Sequence, residues 1–70
     1  MDKAFIKGLR LIEALAHSEK PRGVTELAAE LGLTKSNVHR LLATLVAQGY
    51  VHQDPQYSTY ALGTKIWELG

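Results

Sequence analysis

The sequence predicts a mainly α-helical fold, in which three helices are followed by a two-stranded β-hairpin and the start of a further helix. Apolar residues recur at spacings of three and four over residues 2–17, 24–31 and 34–48, which is the period of an α-helix. Between Tyr50 and Leu62 two short β-prone runs replace this period, with a turn-rich connection between them. The chain has 70 residues, which is enough for one small domain.

The composition excludes several classes of protein. Eight Lys and Arg residues against seven Asp and Glu residues give a net charge of +1, and 46% of the residues are hydrophobic, as in globular domains. Cysteine is absent, which excludes disulfide frameworks and Cys-based zinc or nucleophilic sites. The sequence has no apolar run of membrane-spanning length and no signal-peptide apolar region. We therefore expect a cytoplasmic module with no membrane partner.

The first helix is predicted over about residues 2–17. The apolar residues that share its predicted core face are Phe5, Ile6, Leu9, Ile12, Leu15 and Ala16. Leu11 falls outside this stripe. The next stretch, residues 18–23, contains Ser, Pro and Gly and is predicted to be a loop.

A tight turn is predicted between the second and third helices. The second helix, about residues 24–31, ends at Gly32, since glycine adopts the left-handed conformation without strain. Thr34 is a favourable N-cap for the third helix, which extends to about Gln48. The core-facing residues of the third helix are Val38, Leu41, Leu42, Leu45 and Val46. Two helices joined by a short Gly-containing turn form a helix-turn-helix.

The hairpin that follows completes a winged helix-turn-helix. Its strands are predicted at residues 50–53 and 59–62, around a turn at 54–58. This pair of strands forms the wing. The winged domain is expected to span residues 1–63, and another helix is expected to begin within residues 64–70, which the family resemblance described below implies to be the start of a linker helix.

The polar face of the third helix is the main candidate for function. Its outward or lateral polar residues are Thr34, Lys35, Ser36, Asn37, His39, Arg40 and Thr44. No carboxylate occurs between Glu30 and Asp54. An α-helix fits the major groove of DNA, where arginine reads guanine and asparagine reads adenine. The sequence therefore predicts that Arg40 and Asn37 read bases. Thr34, Lys35 and Ser36, near the helix start, are predicted to meet phosphates.

A polar helix face is also what any amphipathic helix leaves to solvent, so a second function stays open. The net charge of +1 is low for a DNA-binding domain. Residues 1–49 carry seven basic and five acidic residues, whereas residues 50–70 carry one basic and two acidic residues. This bias favours sequence-specific binding of double-stranded DNA. The alternative is a winged-helix module for protein–protein interaction.

Phosphate contacts are also expected outside the third helix. Arg22 lies just before the second helix. The wing has no Lys or Arg between Tyr50 and Leu62, so its contacts depend on neutral groups. The wing residues expected to contribute are Gln56, Tyr57 and Ser58.

Catalysis, cofactors and metals find no support in the sequence. Glu13 and His17 lie four apart on one helix, but no third ligand has suitable spacing. Gly-rich phosphate loops and nucleophile elbows are absent from the sequence. We expect no enzyme activity, no cofactor and no metal.

The apolar end of the chain is a candidate interface. Ile66, Trp67 and Leu69 follow the wing, where the domain core is already complete. A tryptophan in such a place often anchors a protein interface. We expect these residues to contact a second copy of the chain, and the alternative is packing within the chain.

Two parts of the sequence resemble one family of transcriptional regulators. The run from Gly32 to Leu45, GLTKSNVHRLLATL, resembles the recognition-helix motif of the IclR-type regulators. Gly49-Tyr50-Val51 and Tyr60-Ala61-Leu62-Gly63 are similar to the wing and linker of that family. One departure is Ala61, since the family usually carries a basic residue beside this stretch.

The resemblance carries further implications. It implies the N-terminal DNA-binding domain of a regulator, with Ser36, Asn37 and Arg40 in contact with DNA. Such regulators bind palindromic operators as homodimers or tetramers. A linker helix joins this domain to a C-terminal domain that binds a small-molecule effector, and this second domain is absent from the sequence.

Overall fold

The computed structural model describes residues 2–69, which form four α-helices and three β-strands. The elements in chain order are α1 (Lys3–Ala16), β1 (Arg22–Gly23), α2 (Val24–Leu31), α3 (Lys35–Ala47), β2 (Val51–Asp54), β3 (Thr59–Leu62) and α4 (Thr64–Leu69). The predicted mainly α winged helix-turn-helix is therefore confirmed. Met1 and Gly70, the outer ends of the predicted domain and linker segments, lie outside the described residues. The division at residue 63 stays a prediction.

The wing belongs to a sheet of three antiparallel strands in the order β1-β3-β2. The predicted hairpin pairs β2 with β3, from Val51 opposite Leu62 to Asp54 opposite Thr59. The third strand, β1, was predicted to be part of a loop. It is only two residues long and pairs with Tyr60 and Thr59, which are distant in the sequence. A strand formed by such non-local pairing leaves no local periodicity to recognise.

The core face of α1 differs from the prediction. Leu11, placed outside the stripe, is completely buried, together with Ala14 and Leu15. Phe5 and Leu9, placed on the core face, are 65% and 44% exposed. Apolar residues occupy more than one face of α1, so its sequence allows two stripes. Contacts with α3 and β3 select the face that carries Leu11.

One hydrophobic core lies between the three long helices and the sheet. Its buried residues are Leu11, Ala14, Leu15, Leu27, Ala28, Val38, Leu41, Leu42, Val51 and Tyr60. The core therefore joins α3 to both other long helices and to the wing. Burial of this apolar surface fixes the orientation of α3 relative to the rest of the domain.

The turn between α2 and α3 has the predicted form. Gly32 adopts the left-handed conformation, with φ of 68°, and caps α2. Thr34 is the N-cap of α3, and Gln48 is its C-cap. The bounds of the third helix, predicted at 34 and about 48, thus agree with the structure to within one residue at each end.

The described residues contain no helix that is both long and apolar enough to cross a membrane.

Gly63, between the wing and α4, has no room for a side chain. A Cβ atom there would lie 2.8 Å from the carbonyl oxygen of Gly49, which is backbone and cannot move aside cheaply. We expect Gly63→Ala to lower the free energy of unfolding by about 1–3 kcal/mol, as overpacking does. Chemical denaturation measures this change.

Gly8→Ala is the matched control for this prediction. A Cβ at Gly8 meets nothing within 4 Å, and this residue lies inside α1. Alanine is expected to stabilise the helix there by roughly 0.5–1 kcal/mol. Equal effects of the two substitutions would contradict the packing described at Gly63.

Candidate nucleic-acid interface

The start of α3 is held by its own side chains. The Thr34 hydroxyl oxygen accepts a hydrogen bond from the backbone N–H of Asn37 at 3.2 Å. The same hydroxyl lies 3.4 Å from the hydroxyl of Ser36. Lys35 and Ser36 are both exposed. The first turn therefore presents hydroxyl and ammonium groups beside the positive end of the helix dipole.

Helical geometry identifies the residues of α3 that point most directly away from the core. Val38, Leu41 and Leu42 are buried, and each residue turns the helix by about 100°. Ser36, Arg40 and Ala43 lie opposite these buried positions, and all three are exposed. Ala43 was not among the predicted site residues. Because its side chain carries no polar group, only the helical periodicity of α3 could have identified it as a site residue.

Arg40 is bound only to neutral groups within the described residues. Its guanidinium donates a hydrogen bond to the side-chain oxygen of Asn37 at 3.2 Å. The Thr44 hydroxyl donates to the Arg40 carbonyl at 3.3 Å. The ion pairs found in residues 2–69 belong to another arginine, Arg22, so the charges of Arg40 and Lys35 are not neutralised by a carboxylate. The α3 surface is therefore positive.

The two flanks of α3 face different neighbours. Arg40 and Thr44 border an apolar groove that α1 lines with Phe5 and Leu9. His39, on the other flank, lines a notch between the start of α2 and the wing. The predicted residue His39 thus lies on the wing side of the exposed face, whereas Arg40, at the centre of that face, also borders the groove beside α1.

The turn of the wing is held by Asp54. Its carboxylate accepts hydrogen bonds from the backbone N–H groups of Gln56 at 2.9 Å and Tyr57 at 3.3 Å. The N–H of Ser58 donates to the Asp54 carbonyl at 2.9 Å, and Ser58 has a positive φ of 53°. The side chains of Gln56, Tyr57 and Ser58 are exposed. The predicted wing residues thus lie together on a compact turn.

Arg22 forms hydrogen bonds with other side chains of the domain. Its guanidinium donates to Glu30 at 2.7 Å, to Glu26 at 3.3 Å and to the Ser18 hydroxyl at 2.8 Å. The pKa of Arg22 is raised above its ordinary value, mainly by the hydrogen bond to Glu30. With its side chain only 20% exposed, Arg22 holds β1 against α2.

This network bears on the phosphate role predicted for Arg22. A guanidinium has five N–H donors. Glu26, Ser18 and Glu30 already accept hydrogen bonds from three of them. No observation tests the phosphate role of Arg22, which stays a prediction; because of these contacts, Arg22 is not part of the DNA surface proposed below. The spacing of four residues from Arg22 to Glu26, and again to Glu30, was a signal that sequence reasoning missed.

The apolar residues of α4 extend away from the core. Trp67 is 77% exposed and Leu69 is 69% exposed, whereas Ile66 is half-buried. Packing within the chain therefore leaves Trp67 and Leu69 largely uncovered in residues 2–69.

Metal-binding geometry is not found in the part of the chain that the structure describes. No three His, Cys, Asp or Glu side chains of residues 2–69 come together as metal ligands would.

Comparison with known proteins identifies the family. Residues 4–55 match the family model described as the IclR helix-turn-helix domain. This range covers α2, α3 and β2 completely, and all of α1 except its first residue, Lys3. The chain belongs to the IclR family. It is the DNA-binding domain of an IclR-family transcriptional regulator, so the expectation that it is not an enzyme is confirmed.

Individual IclR-family relatives are similar in sequence to this chain over most of its length. The transcriptional repressor IclR of Escherichia coli (strain K12) is 37% identical over 68 residues, which cover 97% of this chain and 25% of that protein. The glycerol operon regulatory protein of Streptomyces griseus is 37% identical over 60 residues, covering 86% of this chain and 24% of that protein. The chain thus spans about a quarter of the length of these relatives.

Solved structures of IclR-family proteins share the fold. An IclR family transcriptional regulator from Brucella abortus has a TM-score of 0.92 and 36% identity, covering all of this chain and 27% of that one. A regulator from Alicyclobacillus acidocaldarius has a TM-score of 0.93 and 30% identity, covering 99% of this chain and 28% of that one.

Proposed function

We propose that this domain binds double-stranded DNA sequence-specifically, with α3 in the major groove, as part of a small-molecule-responsive transcriptional regulator. One observation carries the proposal. The exposed face of α3 has no carboxylate, and its centre is formed by Ser36, Arg40 and Ala43. This face lies on a rigid helix whose opposite side is the domain core. Such a face suits DNA, because the phosphates are negatively charged and the base edges in the groove accept hydrogen bonds.

The side chains of α3 divide into base-reading and phosphate-binding groups. Arg40 presents a fork of donors that fits the O6 and N7 acceptors of guanine. Asn37 can contact adenine, and the methyl group of Ala43 suits the methyl group of thymine. Thr34 and Lys35, beside the helix start, are suited to phosphates.

Residues beside the base-reading face position the domain on the duplex. Thr44 lies on the flank of α3 that faces α1, and His39 lies on the flank that faces the wing. Gln56, Tyr57 and Ser58 extend from the wing turn, where their neutral groups can meet the sugar-phosphate backbone. This part of the interface has no basic residue, so its contribution depends little on salt.

The assembly proposed for the full-length regulator is a homodimer or tetramer on a palindromic operator. A two-fold symmetric dimer presents two α3 helices, which matches the symmetry of two half-sites. Ile66, Trp67 and Leu69 would contribute to the contact between copies. The effector would bind a further C-terminal domain. We place the regulator in the cytoplasm, where a bacterial operator is found.

Self-association tests the role of Trp67. We expect this chain to associate weakly at high concentration, and Trp67→Ala to reduce that association, because an exposed tryptophan gains most from burial between two copies. Sedimentation equilibrium measures it. Tyr57→Ala is the control, because Tyr57 is another aromatic residue with similar exposure, 68%, but lies on the wing. Strictly monomeric behaviour of the parent chain would contradict the role of Trp67.

Selection from a random pool of duplex DNA tests the proposed function. The immobilised chain should enrich a short common half-site within a few rounds at low salt. The half-site should occur as an inverted repeat where two copies bind together. A pool that stays random after selection would contradict sequence-specific binding.

The second candidate is the protein-interaction module. The apolar groove between α1 and α3 favours it, because Phe5 beside this groove is 65% exposed. Failure to enrich any DNA sequence would favour this alternative.

A further inference from the structure

A notch lined by both polar and apolar groups lies where the start of α2, the flank of α3 and the wing meet. Its volume is about 390 Å³, which is ample for a phosphate group. Thr25 of α2, His39 of α3, and Gln53 and Ser58 of the wing region line it, with their side chains exposed. Four polar side chains from separate parts of the chain thus surround one depression.

Tyr60, on the central strand of the sheet, also lines the notch. This residue is only 3% exposed and lies opposite Gln53 on β2. Its hydroxyl takes part in none of the side-chain hydrogen bonds found in residues 2–69. Residues 2–69 contain no fully buried side-chain oxygen or nitrogen that lacks a hydrogen-bond partner, so this unpaired hydroxyl is not fully buried. The ring is therefore packed in the core while the hydroxyl remains available at the notch.

The start of α2 adds further donors. The first N–H groups of a helix have no carbonyl partner within the helix. Gly23, the N-cap of α2, has no side chain to accept from them. The start of α2, which lines the notch, therefore has no capping oxygen from that residue, although Glu26 lies in its first turn.

The single carboxylate at the notch is already paired. Glu26 accepts hydrogen bonds from the Arg22 guanidinium and from the backbone N–H of Gly23, both at 3.3 Å. Its negative charge is thus partly offset by Arg22, whose single positive charge is shared with Glu30. Apart from the apolar Val24, the remaining side chains at the notch can donate hydrogen bonds.

We propose that this notch binds a phosphate of the DNA backbone at the edge of the groove that α3 enters. The Tyr60 hydroxyl, the Gln53 amide and the His39 imidazole donate to the phosphate oxygens. The proposal rests on the proposed function, because His39 places the notch directly beside the base-reading face of α3. It assigns DNA contacts to Tyr60 and Gln53, and it explains how a wing without basic residues holds the backbone.

The test combines protein variants with chemically altered DNA. The duplex obtained by selection carries one neutral methylphosphonate at a time, and fluorescence anisotropy gives the dissociation constant of each complex. One position near the edge of each half-site should weaken binding by the parent chain by about 10- to 100-fold, as the loss of hydrogen bonds to a charged group does. Tyr60→Phe should weaken binding to the unmodified duplex by a similar factor.

Non-additivity identifies the contact. For Tyr60→Phe and His39→Ala, the same methylphosphonate should have a smaller effect than it has on the parent, because one partner of that phosphate is already removed. The loss should be equal for duplexes with different base sequences, since phosphates carry no sequence information. Thermal unfolding of Tyr60→Phe, which keeps the buried ring, checks that the domain remains folded.

Tyr50→Phe is the matched control, because Tyr50 is a tyrosine of the wing region that does not line the notch. This control should bind as the parent does. If the parent binds its selected duplex but Tyr60→Phe and His39→Ala bind equally well, the notch proposal is overturned while the proposed function stands. If the parent binds no duplex, both are overturned.

Discussion

Replacing Leu42 by alanine is expected to lower the free energy of unfolding by about 2–5 kcal/mol. Leu42 is completely buried in the core that α3 shares with the other long helices and the sheet. The substitution removes apolar contacts and leaves a cavity that the neighbours fill only in part. A domain of this size has a total stability of roughly 4–10 kcal/mol. We therefore expect a variant that is partly unfolded at physiological temperature.

Leu69→Ala is the matched control for this stability prediction. The substitution is chemically identical, but Leu69 is 69% exposed. Its effect on the monomer should stay within about 0.5 kcal/mol. Urea denaturation of both variants, at concentrations below self-association, measures the difference. A Leu42→Ala variant as stable as the parent chain would show that the core face of α3 is assigned incorrectly.

Arg40→Ala is expected to weaken binding to the selected DNA by about 1–3 kcal/mol for each half-site. Arg40 lies at the centre of the exposed α3 face, and no carboxylate of residues 2–69 pairs with it. A guanidinium that reads guanine makes two parallel hydrogen bonds, which alanine cannot replace. The variant should also lose its preference for the base at one position of the half-site. Competition binding with single-base variants of the site measures both changes.

Two further variants separate base reading from charge. Lys65→Ala removes one positive charge from α4, outside the proposed DNA surface, and should change affinity little at moderate salt. Arg40→Lys keeps the charge but loses the planar fork, so it should restore affinity for DNA in general without restoring the base preference. If Arg40→Ala and Lys65→Ala have equal effects, Arg40 acts only through its charge.

Much of the fold could be predicted because its signals are local. The left-handed Gly32 and the N-cap Thr34 mark the turn between α2 and α3, and both adopt the predicted conformation. The stripe of α3 is unambiguous because polar residues separate its apolar positions. These features depend on residues within one or two helical turns, which sequence patterns capture.

The remaining features depend on contacts between distant residues. The core face of α1 is chosen by its packing partners, which is why Leu11 was misplaced. Strand β1 exists because Arg22 and Gly23 pair with β3. The candidate site shows both cases, since the outward residues of α3 could be predicted from local periodicity. The availability of Tyr60 at the notch, and the pairing of Arg22 with two carboxylates, appear only in three dimensions.

An NMR titration of the isotope-labelled chain with its selected duplex at low salt tests DNA binding by α3 most directly. We expect chemical-shift changes concentrated at residues 34–44 and at the wing turn 56–58, and we expect them to diminish as salt is added. That pattern would place the exposed face of α3 against DNA. Changes that leave residues 34–44 unaffected, or that appear only around Trp67 as protein concentration rises, would contradict it.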